Sequence, residues 1–504
     1  MKKINSSVKI LTLLLPTVFL FSCADFLDLR PTDKLNTGNA FNTAQDLNNA
    51  ISGAYRTFYT EYYQWDYILL GDVRSDNAYC GGTNDAPIYD YDQLTIKTGS
   101  DRMIRNWCDL YQGIGRCNVI IGKLNEITDP ELDKNDLRKK IIGQASFLRA
   151  YHYFNLVKNY GGVPLELNSN SADPEKTNLP RSTEKEVYDQ IVKDLEVAIA
   201  NLPDKFSDDN TENKVRATKG AANALMAKVW AQRADRDYTK VITYCNAVIN
   251  SPAGYKLQAD YAELFDGAHY MNDESILEIS FLGGDWDVSN WGVQLFVAPE
   301  DGWQKYCIPS KDLVDAYASE NDMARQDANI VFWDNPDWAD ENWDPCMDPA
   351  IQVPFNYKEK HPDGWNSGDH PVLLRLADII LLKAEAQNET SDISGALASL
   401  NQIRERAGLS DQTSSTKEDL RAKILKERRL ELAFEGHRFD DLVRLGVFVS
   451  TMNGLNDYKY TCGDGVQSDP IKINYNANND KILCPIPQRE RDTNPNLTQN
   501  PGYN

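Results

Sequence analysis

The chain has 504 residues, 41% of them hydrophobic and 25% charged, which is the composition of a globular protein and not of a disordered, collagenous or many-span membrane chain. Lys and Arg number 53 against 75 Asp and Glu, a formal charge of −22. A surface so acidic repels phosphate backbones and anionic headgroups, which excludes nucleic acid as a partner.

The N-terminus reads as an address. Met1-Lys2-Lys3 is a basic start, and Ile10 to Phe21 is an apolar stretch of signal-peptide length, too short to span a bilayer. It ends at Leu20-Phe21-Ser22-Cys23, similar to the site where bacterial signal peptidase leaves a lipidated cysteine. The expected organisation is a signal peptide over 1–22, lipidation at Cys23, a polar tether over 23–42 and a single domain over 43–504. An ordinary secretory signal with an incidental Cys is the alternative. Eight cysteines follow Cys23 without a C-x-x-C pair, so no zinc ribbon or dithiol motif is supported. Cys462 and Cys484 flank a loop-like segment and are one possible pair.

Helical periodicity begins at Thr43, a plausible N-cap, and runs to Tyr62 through Leu47, Ile51, Ala54 and Phe58. Residues 71–99 are rich in Gly, Asp, Asn and Tyr without periodicity and read as a long loop. A helix through Trp107, Tyr111, Ile114 and Ile121 follows, then one from about Asp136 to Lys158, stopped by Gly161-Gly162-Val163-Pro164. Further helices are expected over 184–201, capped by Ser182, and over 215–233 and 238–250. Helix pairs recurring at a period of about 34 residues suggest a degenerate tetratricopeptide-like repeat. An irregular helical bundle is the alternative.

Residues 251–370 break this texture with Trp, Asp, Asn, Gly and Pro and with short strand-like runs such as Ile276 to Phe281. They read as a loop-rich insertion with short strands. Helices resume over 371–388, 392–407, 417–435 and 437–446, so the helical scaffold comprises about 43–250 and 371–447. Residues 485–504 are extended and rich in Pro and Asn. The expected fold class is mostly α, a tetratricopeptide-like helical repeat scaffold carrying that insertion.

Catalytic motifs have little foothold. Glu427, Glu431 and Glu435 stand at i, i+4 and i+8 and invite a glycosidase reading, but Arg428, Arg429, Arg404 and Arg406 surround them, which favours an ion-pair network. The chain has no H-E-x-x-H, G-x-S-x-G or phosphate-binding glycine motif. The acidic run Asp334, Asp337, Asp340, Glu341 and Asp344 has the chemistry of a calcium loop without its spacing, so a structural calcium ion has no specific motif behind it and no cofactor is expected. Seven of the ten Trp fall between Trp286 and Trp365, among polar residues. Flat indoles suit the C–H face of a sugar ring, with Asp and Asn to bond its hydroxyls; the bland reading is a local core under long loops. Trp107 and Trp230 sit on apolar helical stripes and belong to the core. Long aromatic, polar loops point to function, so the expected ligand-binding residues are Asp76, Asn77, Tyr79 and Tyr89 from the first loop with Trp286, Trp291 and Trp303 from the second, and Trp333, Trp338 and Trp343 in reserve.

Several longer stretches resemble one family. Arg375-Leu-Ala-Asp-Ile-Ile-Leu-Leu-Lys-Ala-Glu-Ala386, Leu400 to Gly408, Glu427 to Leu442, Pro485-Ile-Pro-Gln488 and Asn494 to Tyr503 are similar, in order, to motifs of SusD/RagB-type outer-membrane lipoproteins of Bacteroidetes. Ala145 to Phe154 and Tyr160-Gly-Gly-Val-Pro164 match its N-terminal half, and Asp25 and Asp28 resemble its acidic surface-export signal. The resemblance implies a non-enzymatic glycan-binding lipoprotein, lipid-anchored in the outer membrane and exposed at the cell surface. It implies capture of an oligosaccharide or polysaccharide and its delivery to a SusC-like TonB-dependent transporter. Some relatives take peptides, so a peptide-binding lipoprotein is the alternative; an extracellular glycoside hydrolase is a more distant one.

Overall fold

A computed structural model describes residues 41–81, 86–168, 178–298, 305–334, 339–358, 360 and 364–503. The first helix, Ala44–Tyr55, starts where its chemistry dictates: the Thr43 side chain accepts from the Asp46 N–H while Asp46 returns a bond to the Thr43 backbone. This capping box satisfies donors that a helix start would leave orphaned. Helix Asp101–Leu124 packs on it, Leu137–Tyr160 on that, and Glu184–Asn201, Lys219–Gln232 and Tyr238–Ile249 continue the stack, each against its predecessor. The chain then leaves the helices and returns at Leu376–Glu389, which packs directly on Tyr238–Ile249 and carries Ile393–Arg406 and Lys417–Glu431. One hydrophobic core runs through the whole stack, which is why Leu137–Tyr160 and Leu376–Glu389 are buried nearly all round.

The point of departure and return is tied. Strand Ser275–Glu278 pairs antiparallel with Val372–Arg375, closing the base of the excursion. The expected helix over 371–388 therefore begins as a strand and turns helical only at Leu376, because its first residues have a β partner. Within the excursion Ile330–Asp334 pairs with Gln352–Asn356 over a small core of Tyr79, Ile308, Val353 and Phe355. Trp333 and Trp343 pack half-buried against that core, so these two rings are chiefly structural; Trp338 lies outside the described residues.

Other expectations are revised. The cap of Glu184–Asn201 is Thr183, whose hydroxyl reaches the Glu186 N–H, and not Ser182. The 71–99 segment is not one loop: helical turns persist through Val73, Ala78–Tyr79 pairs with Ile308–Pro309, and Ala86–Asp92 is helical. The disulfide joins Cys346 to Cys462, while Cys484 is a buried free thiol beside Arg74. Sequence adjacency of loops is a poor guide to pairing, since Cys484 is drawn inward by the returning C-terminus. There the Cys484 N–H bonds Asn159 O, and the Asn500 amide bonds both Tyr160 O and Cys484 O. Arg181 bonds Tyr160 O, Gly162 O and Thr498 O, so one guanidinium locks the end of Leu137–Tyr160 to the C-terminal strap.

Candidate functional site

Charge and aromaticity, the two anomalies of the composition, separate in space. The carboxylates of the glutamate stripe face arginines. Glu431 receives Arg375 at 2.6 Å, Arg325 at 3.0 Å and also Arg406; Glu427 receives Arg404 and Arg325 at 2.8 Å each. The helix stops at Glu431, so Glu435 is not on its face; it meets Arg375 at 2.6 Å from the following turn. Burial alone would raise the Glu431 carboxyl, but Arg406, Arg375 and Arg325 together hold it well below the usual carboxylate range. Arg428 is likewise taken up by Asp378 and Asp441. A general acid needs a raised pKa and access to substrate; Glu431 has neither.

Three of the residues expected at the ligand site belong to this same buried economy of charge. Asp76 is 3% exposed and accepts two bonds from Arg438, at 2.7 and 2.8 Å, beside Arg429. Burial opposes the charge, yet the two arginines hold its carboxyl well below the ordinary range. Asn77 donates to Asp72 and accepts from Arg429, and the Tyr79 hydroxyl donates to Asp340 at 2.7 Å. Their polar groups hold the 72–79 segment onto the scaffold and offer nothing to solvent. Polarity in a loop sequence marks ion-pair partners as readily as ligand contacts, and only burial tells the two apart. Tyr89 is half-buried and lines a separate small cavity with Asp92 and Asp340. Trp303 lies outside the described residues.

The tryptophans behave differently. Trp286 is 53% exposed and lies parallel to Trp291, with centroids 5.4 Å apart and planes 4° apart. Trp365 flanks Trp286 at 6.0 Å and 37°. Trp291 in turn meets the edge of buried Trp65, which stacks on Tyr306 and carries the Arg102 guanidinium 3.6 Å from its ring centre. The exposed ring is therefore the outer end of a braced aromatic ladder. Backbone contacts fix it: Asp285 caps the Trp286–Val288 turn, Gly284 N–H bonds Asn366 O, and Asn290 N–H bonds Ser367 O. Gly283 sits at φ +68° where a side chain would press on the 366–368 backbone, and a Cβ at Gly292 would lie 2.8 Å from Gln64 O. These glycines let three segments close up under the rings. Trp365 is a member that the sequence reading did not single out, although its neighbours Asn366, Gly368 and Asp369 carry the same polar signal as those of Trp286.

Beside this platform is a cavity of about 260 Å³ between the end of the first helix, Val215–Arg216 and Glu278–Leu282. Arg56 on its rim reaches Asp287 O, one residue from Trp286, and Tyr59 stacks on Phe281 at 4.7 Å. The two features share an edge. Among the described residues no group of three or more His, Cys, Asp or Glu side chains is arranged to hold a metal ion.

Comparison with known proteins places this arrangement. Residues 351–503 match the model of the SusD family, and residues 25–230 match a family described as starch-binding and associating with the outer membrane.

The chain belongs to the SusD family.

SusD-like protein P2 of Formosa agariphila is 28% identical to it over 98% of this chain and 99% of the relative. A SusD-like protein of Bacteroides fragilis superposes with a TM-score of 0.73 at 26% identity, covering 91% of this chain and 97% of that one. A laminarin-binding SusD-like protein gives 0.72 at 26%, covering 92% and 100%. Membership makes this a non-catalytic, outer-membrane-associated protein of a glycan-binding surface family, in agreement with the paired state of Glu427 and Glu431.

Proposed function

We propose that this SusD-family protein captures a glycan chain at the cell surface, on the platform of Trp286, Trp291 and Trp365, and passes it to a SusC-like TonB-dependent transporter. The observation that carries the reading is the braced, half-exposed face of Trp286, where the other aromatic rings among the described residues are buried or half-buried. A rigid indole held parallel to a second one costs little entropy when a sugar ring stacks on it. Asp285 and Asn366 stand at the edges of the platform, where carboxylate and amide groups suit hydroxyl donors and acceptors. The names of a laminarin-binding relative and of the starch-binding family support the class of ligand and leave the individual sugar open.

Anchoring through a lipid on Cys23 belongs to the same reading, as does display at the surface. Replacing Cys23 with Ala should release the protein from the membrane fraction; unchanged retention would remove the anchor from the proposal. The glycan reading is tested by a glycan array with the soluble mature chain, followed by calorimetry with Trp286→Ala. Loss of binding with an unchanged melting profile supports the platform, whereas full affinity in Trp286→Ala and Trp365→Ala moves the site elsewhere. Delivery is tested by co-purification of the full lipoprotein with the transporter encoded nearest its gene. Absence of any complex would overturn that part.

A further inference from the structure

Resting on that reading, we infer that the cavity beside the tryptophan platform accepts an acidic substituent of the glycan, so that the preferred ligand is an anionic polysaccharide bearing uronate or sulfate groups. The reasoning begins with an imbalance. In a chain with 22 more acidic than basic residues, arginines are expected to find carboxylates, and at the base of the insertion they do. At the rim of the cavity one of the two lining arginines, Arg56, does not. Arg56 is exposed, and its polar contact among the described residues is the Asp287 carbonyl at 3.4 Å. Arg116, outside the cavity lining but near enough for the Arg56 charge to act on it, bonds Gly53 O at 2.9 Å and the Thr57 hydroxyl at 3.2 Å, again with no carboxylate partner among the described residues. Burial and the like charge of Arg56 both push the Arg116 guanidinium below its ordinary pKa. Arg216 stands on the cavity wall, paired with half-exposed Glu212 at 3.1 Å.

The acidic group in the wall does not neutralise this set. Glu278 is 1% exposed; it accepts the Met271 N–H at 2.9 Å and lies 3.3 Å from His370, and Lys214 is among its near charges. Arginine forks match carboxylate and sulfate oxygens, and leaving two of them close together without a counter-ion is a cost that a bound anion would relieve. The apolar part of the cavity is equally suited to a sugar residue. Phe58, Ile279 and the 75%-exposed Leu282 line it, and the Tyr59 ring is braced by Phe281. Because Arg56 bonds the residue next to Trp286, a glycan stacked on that ring presents the substituents of its neighbouring unit to Arg56. The set selects acidic sugars against a repulsive net charge, as expected for specificity supplied by one local patch.

The test uses the soluble mature chain, with Arg56→Gln and Trp286→Ala variants, against oligogalacturonate, sulfated galactan oligosaccharides and their neutral counterparts, laminarin and starch oligosaccharides. Calorimetry should show at least one acidic class binding about 10-fold or more tightly than any neutral one, with Arg56→Gln removing about 10-fold or more of that affinity, the scale of a charge-assisted hydrogen bond. Which acidic class responds distinguishes uronate from sulfate. Raising ionic strength from roughly 0.01 M to roughly 1 M, which shortens the screening length from about 30 Å to about 3 Å, should weaken acidic binding and spare neutral binding. Trp286→Ala should weaken every class that binds. Neutral ligands binding as well as acidic ones, with no effect of Arg56→Gln and a clear effect of Trp286→Ala, would overturn the acidic preference and leave the platform standing. Binding by no member of the panel would count against both.

Discussion

The base and the rim of the insertion both carry arginines, and those arginines behave oppositely. At the base, Arg375, Arg325, Arg404 and Arg406 each meet carboxylates inside the protein, and the charges are buried with their partners. At the rim, Trp286 shows half its surface, and Arg56 and Arg116 have no carboxylate among the described residues. The comparison teaches that a cluster of chemistry-bearing residues is evidence of a site only when some of its capacity is left over. The base has spent its capacity on holding two distant stretches of chain together; the rim has not.

The largest effect expected is at the base. Glu431→Ala leaves Arg375, Arg325 and Arg406 facing a void and should cost about 3–5 kcal/mol in a denaturant titration, with glycan affinity per folded molecule unchanged. Lost binding at unchanged stability would erase the distinction between the two regions. Next is the pH dependence, in which two carboxyls have opposite signs. The depressed pKa of Glu431 means that its contribution is present above the unfolded value near 4 and is lost as pH falls through the lower folded value. Asp92 is buried with one oxygen unpartnered, and burial pushes its carboxyl up to about 8. The folded chain therefore keeps a proton that the unfolded chain loses near pH 4, and stability falls as pH rises between about 4 and about 8. Asp92→Asn should flatten that decline, gaining as much as a few kcal/mol at pH 8 and nothing at pH 4. An unchanged slope would show that Asp92 ionises freely.

Smaller effects belong to the rim. Trp286→Ala should weaken glycan binding by roughly 1–3 kcal/mol, by analogy with stacking of other flat rings on aromatic side chains, or about 5- to 150-fold. Trp65→Ala, deeper in the same ladder, belongs instead with the large effects and should destabilise the fold by about 3–5 kcal/mol, as removal of a buried ring does. Smallest is the effect of Trp286→Ala on stability, within about 0.5 kcal/mol, since the ring is the exposed end. A large loss of stability there would mean that Trp286 is core and not platform.

Much of the scaffold was legible from periodicity alone. The helices expected over about 136–158, 215–233 and 238–250, with the stop at Gly161, are found at 137–160, 219–232 and 238–249, because helix formation is decided within a few turns. The interleaving of Glu427 and Glu431 with arginines was enough to favour an ion-pair network over a catalytic pair. The concentration of Trp in polar sequence pointed to Trp286 and Trp291.

What the chain by itself determined, then, is where helices run, where they break, which family its motifs resemble and which kinds of side chain lie in the long connections. Tertiary structure alone decided how those side chains are used. Asp76 and Asn77 carry the same loop chemistry as Asp285 and Asn366, yet the first two are consumed by Arg429 and Arg438, more than 350 positions away in sequence. Trp286 faces outward and Trp65 inward along one ladder for the same reason: exposure is set by partners that arrive from distant segments. Cys462 bonds Cys346 instead of Cys484 because the C-terminal strap carries Cys484 under Tyr160. Local propensity is a property of neighbours along the chain, whereas burial, pairing and the charge left unpaired at the rim depend on contacts that exist only once the chain has closed on itself.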